Sequence, residues 1–224
     1  MKKYAVIVAG GKGSRMNTEI PKQFLILKDK PVLFYTMSAF LKAYTDMKII
    51  LVLPLEHMGK GQEIIDGYFE PSLITVVAGG RTRFHSVQNG LANINDESII
   101  FVHDGVRCLV TENLIHRAFE GALETGSAIP VIDSVNSVRL ITEDGNVAVD
   151  RSLVKLVQTP QTFHSKILLE AYKIDYKDKF TDEASVVEAF GLKVNLIEGE
   201  VNNIKITELK DLAVAENILD ALYI

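Results

Sequence analysis

Short apolar runs recur along the chain and alternate with stretches in which apolar residues return every three or four positions. Runs of this kind are typical of buried strands, and they cover residues 4–8, 48–53, 73–77, 98–102, 128–132 and, late in the chain, 193–197. Because these runs have almost no polar face, they indicate strands that are covered on both sides. The pattern predicts an α/β fold: a Rossmann-like, mostly parallel twisted sheet with helices on both faces.

The stretches with helical periodicity lie between and after these runs. They cover residues 31–45, the segment through Val87 and Leu91, 111–126, 164–173, the segment after Thr181, and 208–222. Thr111 is suited to cap the start of its helix, and Gly126 to end it. Thr207 is suited to cap the closing helix.

Residues 135–157 interrupt this alternation. Residues 137–141 alternate between polar and apolar, 144–146 (DGN) signal a turn, and 147–149 return to an apolar run. The segment therefore predicts a β-hairpin inserted into the α/β domain as a protruding arm. Since an isolated two-stranded hairpin is marginally stable in water, the arm is expected to pack on a partner subunit or on its own domain.

Composition narrows the class of protein. The 224 residues are 47% hydrophobic and carry a net charge of −5, which suits one domain over 1–224 and argues against a nucleic-acid partner. A single cysteine, Cys108, excludes an intrachain disulfide and disfavours a thiolate zinc site. The apolar run after Lys2 and Lys3 is too short for a signal peptide or a membrane span, so we expect a soluble cytoplasmic protein.

The strongest chemical signal follows the first strand, in residues 9–16 (AGGKGSRM). Glycines let backbone N–H groups approach a bound anion, and Arg15 and Lys22 add positive charge. This equipment suits a nucleoside triphosphate. The segment lacks the Lys-Ser/Thr of a Walker A loop and the third glycine of a dinucleotide fingerprint, and a glycine-rich turn with surface cations is the alternative.

Further candidates follow the strand at 98–102. Asp104 is a candidate magnesium ligand, because Mg²⁺ prefers carboxylate and phosphate oxygens; the alternative is a cap of the next turn. Arg107 is suited to hold a second phosphate or to pair with Asp104. His103 is interpreted as structural rather than as a base, because phosphoryl transfer to an already ionised phosphate oxygen needs no base. Cys108 is interpreted as buried and inert. Polar residues follow four strands, after Val8, Val77, Val102 and Ile132, and parallel strands would bring all four groups to one pocket.

Seven segments together carry a family resemblance: 9–16 (AGGKGSRM), 21–23 (PKQ), 79–83 (GGRTR) with Ser86, 102–104 (VHD), 158–161 (QTPQ), 181–185 (TDEAS) and 203–207 (NIKIT). In this order they resemble the 2-C-methyl-D-erythritol 4-phosphate cytidylyltransferases, over nearly the whole chain. The resemblance implies transfer of CMP from CTP to a polyol phosphate with Mg²⁺ and release of pyrophosphate, in the non-mevalonate route to isoprenoids.

The resemblance also implies residue roles and an assembly. The implied catalytic residues are Arg15, Lys22 and Lys205. The implied nucleotide-binding residues are Ala9, Gly10, Gly11, Gly13, Gly80, Arg83, Ser86 and Asp104, of which Asp104 also lies near the metal. The implied substrate-binding residues are Arg107, Ser134, Arg151, Thr159 and Thr181. In the family the arm crosses to a second subunit and lends it residues such as Arg151, which implies a homodimer.

The chain departs from the family pattern at two places. Residues 104–108 read DGVRC where Asp-Ala-Ala-Arg-Pro is common, so a looser loop is expected, and Ser134 stands where threonine is common. A ribitol-5-phosphate cytidylyltransferase shares the nucleotide loop and is one alternative. A non-catalytic nucleotide-binding module is another.

Overall fold

The computed structural model describes residues 1–10 and 20–222. The strands over these residues are β1 (Lys2–Val8), β2 (Ile26–Leu27), β3 (Lys30–Pro31), β4 (Met47–Leu53), β5 (Ile74–Ala78), β6 (Ser98–Asp104), β7 (Ser127–Asp133), β8 (Val138–Thr142), β9 (Gly145–Val149), β10 (Lys155–Val157), β11 (Gln161–His164) and β12 (Leu196–Glu198). The α-helices are α1 (Val32–Ala43), α2 (Met58–Tyr68), α3 (Arg83–Leu91), α4 (Glu112–Thr125), α5 (Ser165–Ala171), α6 (Glu183–Ala189) and α7 (Leu209–Leu222). Within this part of the chain, no helix has the length and apolar character needed to cross a membrane.

The central sheet has the strand order β10-β7-β11-β6-β1-β4-β5, with β12 also paired to β7. β1 pairs in parallel with β4 and β6, and β4 pairs in parallel with β5. β11 is antiparallel to both β6 and β7, and β10 is antiparallel to β7. The predicted mostly parallel sheet is confirmed. The sequence pattern does not predict β10 or β11, because three or four residues are too few to show a period.

Side chains of the sheet alternate between two cores. On β1, Ala5 and Ile7 belong to the core covered by α1, α2 and α4. Tyr4 and Val6 belong to the core covered by α3, α5 and α6. Because a strand points successive side chains to opposite faces, an unbroken apolar run fills both cores at once. The prediction of helices on both faces is therefore confirmed.

Helix ends agree with the sequence in one case and differ in another. Thr111 caps α4 by accepting a hydrogen bond from the N–H of Leu114 at 3.1 Å, and Gly126 ends the helix with φ of 86°. For α7 the predicted cap is wrong. The N–H and hydroxyl of Thr207 both donate to the Asp211 carboxylate at 2.8 Å, because that carboxylate reaches back over the first turn.

The arm forms as a hairpin in which β8 and β9 pair with each other. The turn lies at 143–144, and Gly145 already belongs to β9, so the predicted turn at 144–146 is displaced by one residue. Ile141 is 78% exposed, and Leu140 and Val147 are also exposed. These apolar side chains are therefore left uncovered by the part of the chain that the structure describes. The late strand is shorter than predicted, with β12 beginning only at Leu196.

Candidate active site

A cavity of about 700 Å³ lies at the carboxyl ends of four parallel strands. Ala9 and Gly10 follow β1, residues 54–56 follow β4, Gly79 and Gly80 follow β5, and Asp104 ends β6. Ligands of open parallel sheets bind at this edge, because the connecting loops diverge there and leave a crevice. The cavity is thus the candidate nucleotide site.

The expectation that four strand ends share this pocket is partly wrong. The ends after Val8, Val77 and Val102 do line the cavity. Among the described residues that line it, none comes from the end of β7, and the end of β4 contributes instead. The reason is that β11 stands between β6 and β7, which displaces β7 by two strand spacings, or about 10 Å.

Gly80 and Ser86 join the loop after β5 to the start of α3. The Ser86 hydroxyl accepts a hydrogen bond from the Gly80 N–H at 3.1 Å and donates to the Thr82 carbonyl at 2.9 Å. A Cβ atom at Gly80 would lie 2.4 Å from the Cβ of His85. Only glycine fits this approach, so the loop is fixed close to the helix as it enters the cavity.

Two lysines that are far apart in sequence meet at the cavity. The Lys22 ammonium donates to the Ile206 carbonyl at 2.9 Å, and the neighbouring Lys205 ammonium lies 2.8 Å from Asp104 Oδ2. Gln23 also donates to the Ala9 carbonyl at 2.8 Å, which joins this segment to the end of β1. The predicted catalytic residues Lys22 and Lys205 are therefore brought together.

Asp104 is surrounded by cations. Its carboxylate lies 2.8 Å from Lys205, 3.5 Å from Arg83 and 3.6 Å from Arg107. Burial alone would raise the pKa of the Asp104 carboxyl, but Arg83, Lys205 and Arg107 outweigh burial and hold that pKa well below its usual range. Asp104 is therefore ionised at neutral pH.

The His103 side chain is fully buried. Burial lowers the pKa of its imidazole to about 4. Its Nε2 lies 3.1 Å from the Arg107 carbonyl, which only accepts, so Nε2 carries the proton and Nδ1 accepts from the Thr159 hydroxyl at 2.9 Å. That hydroxyl oxygen in turn accepts from the Asp104 N–H at 3.2 Å. The structural interpretation of His103 is supported, and Thr159 lies behind Asp104.

The loop after Asp104 is held by several contacts. Arg107 pairs with Asp104 and donates to the Asn203 carbonyl at 2.8 Å, so the ion-pair alternative is the one observed. The N–H of Gly105 donates to the Val8 carbonyl at 2.9 Å, and the Gly105 carbonyl accepts from the Thr36 hydroxyl at 3.1 Å. A Cβ at Gly105 would lie 2.8 Å from the Ala9 Cβ. These contacts disagree with the expected loose loop.

Cys108 is buried, as predicted, and only 4% exposed. Burial raises the pKa of its thiol to about 12. A thiol with so high a pKa carries almost no thiolate at neutral pH, so it is a poor nucleophile.

The remaining predicted residues lie elsewhere. The Ser134 hydroxyl donates to the Asn136 carbonyl at 3.1 Å, and Arg151 donates to the Val135 carbonyl at 2.9 Å, so both stand at the base of the arm. Thr181 is exposed, and its N–H donates to Ser185 at 3.2 Å. Within the described chain, none of these three lines the cavity. Three further predicted residues lie outside the described residues: Gly11, Gly13 and Arg15.

Sequence reasoning assigned no site role to Glu183. Its side chain is completely buried and contacts Arg83 with both carboxylate oxygens, at 2.6 and 3.0 Å. A signal was available, since Glu183 shares a helix face with Val186 and Val187, three and four residues on. A carboxylate on an apolar face indicates a buried partner.

Two carboxylates line the cavity, those of Glu56 and Asp104. No cluster of three or more His, Cys, Asp or Glu side chains occurs in residues 1–10 and 20–222. Magnesium needs no such cluster, because one or two carboxylates suffice when substrate phosphates and water complete the shell. The ionised, cavity-lining Asp104 fits that requirement.

Comparison with known proteins agrees with this geometry. The sequence model of the family described as IspD, 2-C-methyl-D-erythritol 4-phosphate cytidylyltransferase, matches residues 4–221. The protein of that name from Phocaeicola vulgatus is 46% identical over 219 residues, which cover 98% of this chain and 100% of the relative. The one from Bacteroides fragilis is 48% identical over 215 residues, covering 96% of this chain and 98% of the relative.

Solved structures give the same result. The 4-diphosphocytidyl-2C-methyl-D-erythritol synthase of Anaerococcus prevotii is similar with a TM-score of 0.83 and 28% identity, covering 98% of this chain and 96% of that one. The Francisella tularensis 2-C-methyl-D-erythritol 4-phosphate cytidylyltransferase has a TM-score of 0.80 and 30% identity, covering 96% and 98%.

Proposed function

Because the chain belongs to the 2-C-methyl-D-erythritol 4-phosphate cytidylyltransferase family, we propose that the cavity at the ends of β1, β4, β5 and β6 is where it binds CTP. The enzyme transfers CMP from CTP to 2-C-methyl-D-erythritol 4-phosphate and releases pyrophosphate, in the synthesis of isoprenoid precursors.

The chemistry is an in-line displacement. A phosphate oxygen of methylerythritol phosphate attacks the α-phosphorus of CTP, the new P–O bond forms, and the bond to the β-phosphate breaks with its electrons leaving on pyrophosphate. The attacking oxygen is already ionised, so no general base is required. Two anions must meet, and the enzyme therefore works by positioning them and neutralising their charge.

What carries this proposal is that Lys22, Arg83 and Lys205 line one cavity, where Arg83 and Lys205 contact the carboxylate of Asp104. Lys22 and Lys205 stabilise the charge on the α-phosphate, and Arg15 acts with them from the glycine-rich segment. Gly80, Arg83 and Ser86 face the nucleoside, beside Ala9 and Gly10.

We also assign magnesium to this site, with Asp104 as the protein ligand. When bound, Mg²⁺ neutralises the triphosphate and supports departure of pyrophosphate. The Lys205–Asp104 pair keeps the carboxylate ionised and turned to the cavity before substrates enter. Removal of Mg²⁺ with a chelator is expected to abolish turnover, and addition of Mg²⁺ to restore it.

The acceptor side of the reaction requires a second subunit in this proposal. Arg107 and Thr159 stand beside Asp104, whereas Ser134 and Arg151 stand at the base of the exposed arm. We infer a cytoplasmic homodimer in which each arm lends Ser134 and Arg151 to the other subunit's acceptor site. Thr181 belongs to the same acceptor group.

The decisive test is pyrophosphate release by the purified protein with CTP and Mg²⁺. Methylerythritol phosphate and ribitol 5-phosphate are supplied in parallel reactions. Release with methylerythritol phosphate alone is the expected result. Release only with ribitol 5-phosphate would identify that compound as the acceptor. CTP binding without pyrophosphate release in either reaction would indicate a non-catalytic module.

A further inference from the structure

Glu183 is a fully buried charge that the mechanism above does not use. It is the first residue of α6, and its two carboxylate oxygens meet the two terminal nitrogens of Arg83, at 2.6 Å to Nη1 and 3.0 Å to Nη2. Such a fork-to-fork pair fixes the plane of a guanidinium as well as its place. Nη2 then lies 3.5 Å from Asp104 Oδ1, so the same group reaches the cavity carboxylate.

The pair is open on one side only. The Glu183 side chain has no exposed surface, whereas the Arg83 side chain is 28% exposed and lines the cavity. Tyr172 closes the other side by donating its hydroxyl to Glu183 Oε1 at 3.2 Å. A buried ion pair is weak evidence for fold stability, because apolar residues of similar size often replace it without loss. The one-sided exposure instead suits a carboxylate that presents an arginine to a ligand.

Glu183 is itself anchored to the strand system of the site. Asp182 caps α6, and Gln161 of β11 donates to Asp182 at 2.9 Å while accepting from the Ala184 N–H at 2.8 Å. Gln161 stands opposite Val102 of β6, two residues before Asp104. The start of α6 is thus tied to the strand that carries Asp104.

We propose that Glu183 is a positioning residue of the nucleotide site, which holds the Arg83 guanidinium in the orientation that contacts bound CTP. The inference rests on the proposed binding of CTP in this cavity. Lys22 and Lys205, which stabilise the charge on the α-phosphate, are not part of the Arg83–Glu183 pair. Loss of Glu183 should therefore affect nucleotide binding more than the displacement step.

The test replaces Glu183 by glutamine, which keeps the shape and removes the charge. Glu183→Gln is expected to raise the KM for CTP about tenfold and to leave kcat within about threefold, since one charge-assisted pair is lost. The calorimetric Kd for CTP is expected to rise by the same factor. Glu97→Gln, at an exposed ion pair with Lys166, is the matched control and should change neither value.

A double variant separates positioning from general stability. If Glu183 acts through Arg83, then adding Glu183→Gln to Arg83→Gln should raise the KM for CTP by less than about twofold further. The proposal would be overturned if the effects of the two substitutions on the KM for CTP multiplied in the double variant. It would also be overturned if Glu183→Gln left that KM unchanged and only lowered the melting temperature. If Glu183→Gln does not fold, Arg83→Lys loses the fork while keeping the charge, and a normal KM and Kd for CTP in that variant would contradict the role.

Failure of the proposed function gives a different pattern. In that case the wild-type protein releases no pyrophosphate and calorimetry detects no CTP binding, which overturns both statements together. Wild-type turnover with unchanged CTP binding in Glu183→Gln overturns only the positioning role.

Discussion

The cavity and the arm differ in whether their side chains find partners within the same chain. At the cavity, Asp104 and Arg83 meet charged partners within the same chain: Asp104 meets Lys205, and Arg83 meets Glu183. On the arm, β8 and β9 pair with each other and with no other strand of the described residues, and Ile141 is left 78% exposed. The cavity is therefore assembled by loops of one chain, whereas the arm exposes apolar side chains.

This contrast follows from topology. The cavity lies where four adjacent parallel strands end, so loops from distant parts of the sequence converge without help. The arm leaves the sheet after β7, beyond the antiparallel β11, and carries Ser134 and Arg151 away from the cavity. In the proposed function, one chain completes the CTP site and depends on a partner for the acceptor.

The largest expected effect concerns the reactivity of the buried Cys108 thiol compared with a thiol on the arm. Burial raises the pKa of Cys108 to about 12 from 9.0, so at pH 8 its thiolate should be about a thousandfold scarcer than in the unfolded chain. Reaction with a disulfide reagent should slow accordingly in the native protein and become fast in urea. A cysteine on the arm turn, made by Glu143→Cys in a Cys108→Ala background, should react at the rate of a free thiol. Equal native rates at the two positions would contradict the contrast between them.

The next effect concerns the cavity's chemistry. Lys22→Ala is expected to lower kcat by about a hundredfold or more, because it removes a cation that stabilises the transition state. Steady-state pyrophosphate release measures it, with the exposed Lys193→Ala as control. Near-normal turnover would remove Lys22 from the catalytic group.

A smaller effect tests whether the arm serves another subunit. Arg151→Ala is expected to raise the KM for methylerythritol phosphate about tenfold and leave the KM for CTP unchanged, because a phosphate contact is lost. Mixing Arg151→Ala protein with Lys22→Ala protein should then restore activity, since exchange of subunits creates one site with both residues intact. Absence of any restoration after subunit exchange would place Arg151 in its own chain's site.

The smallest expected effect is on folding. Ile141→Asp should change the free energy of unfolding of the monomer by no more than about 0.5 kcal/mol, because the side chain is exposed in the single chain. The same variant should dissociate the proposed dimer, measured by sedimentation, and lose activity while still binding CTP. A large loss of monomer stability would show that the arm packs on its own domain.

Local pattern was enough to predict most of the fold. The apolar runs at β1, β4 and β6 and the Thr111 and Gly126 helix ends depend on side chains a few residues apart, so their signals are complete within one segment. The short β10 and β11 carry no such signal. Their place depends on the edges and gaps that the longer strands leave.

For the site, the sequence by itself determined which chemical groups are present. The family motifs supply Lys22, Arg83, Asp104 and Lys205, and their types suit a triphosphate. Only the tertiary structure decided which groups meet. The insertion of β11 moved the end of β7 out of the cavity, and the start of α6 brought Glu183 to Arg83. The reason is that ion pairs and cavities join residues distant in sequence, and their geometry depends on strand order, which no local pattern encodes.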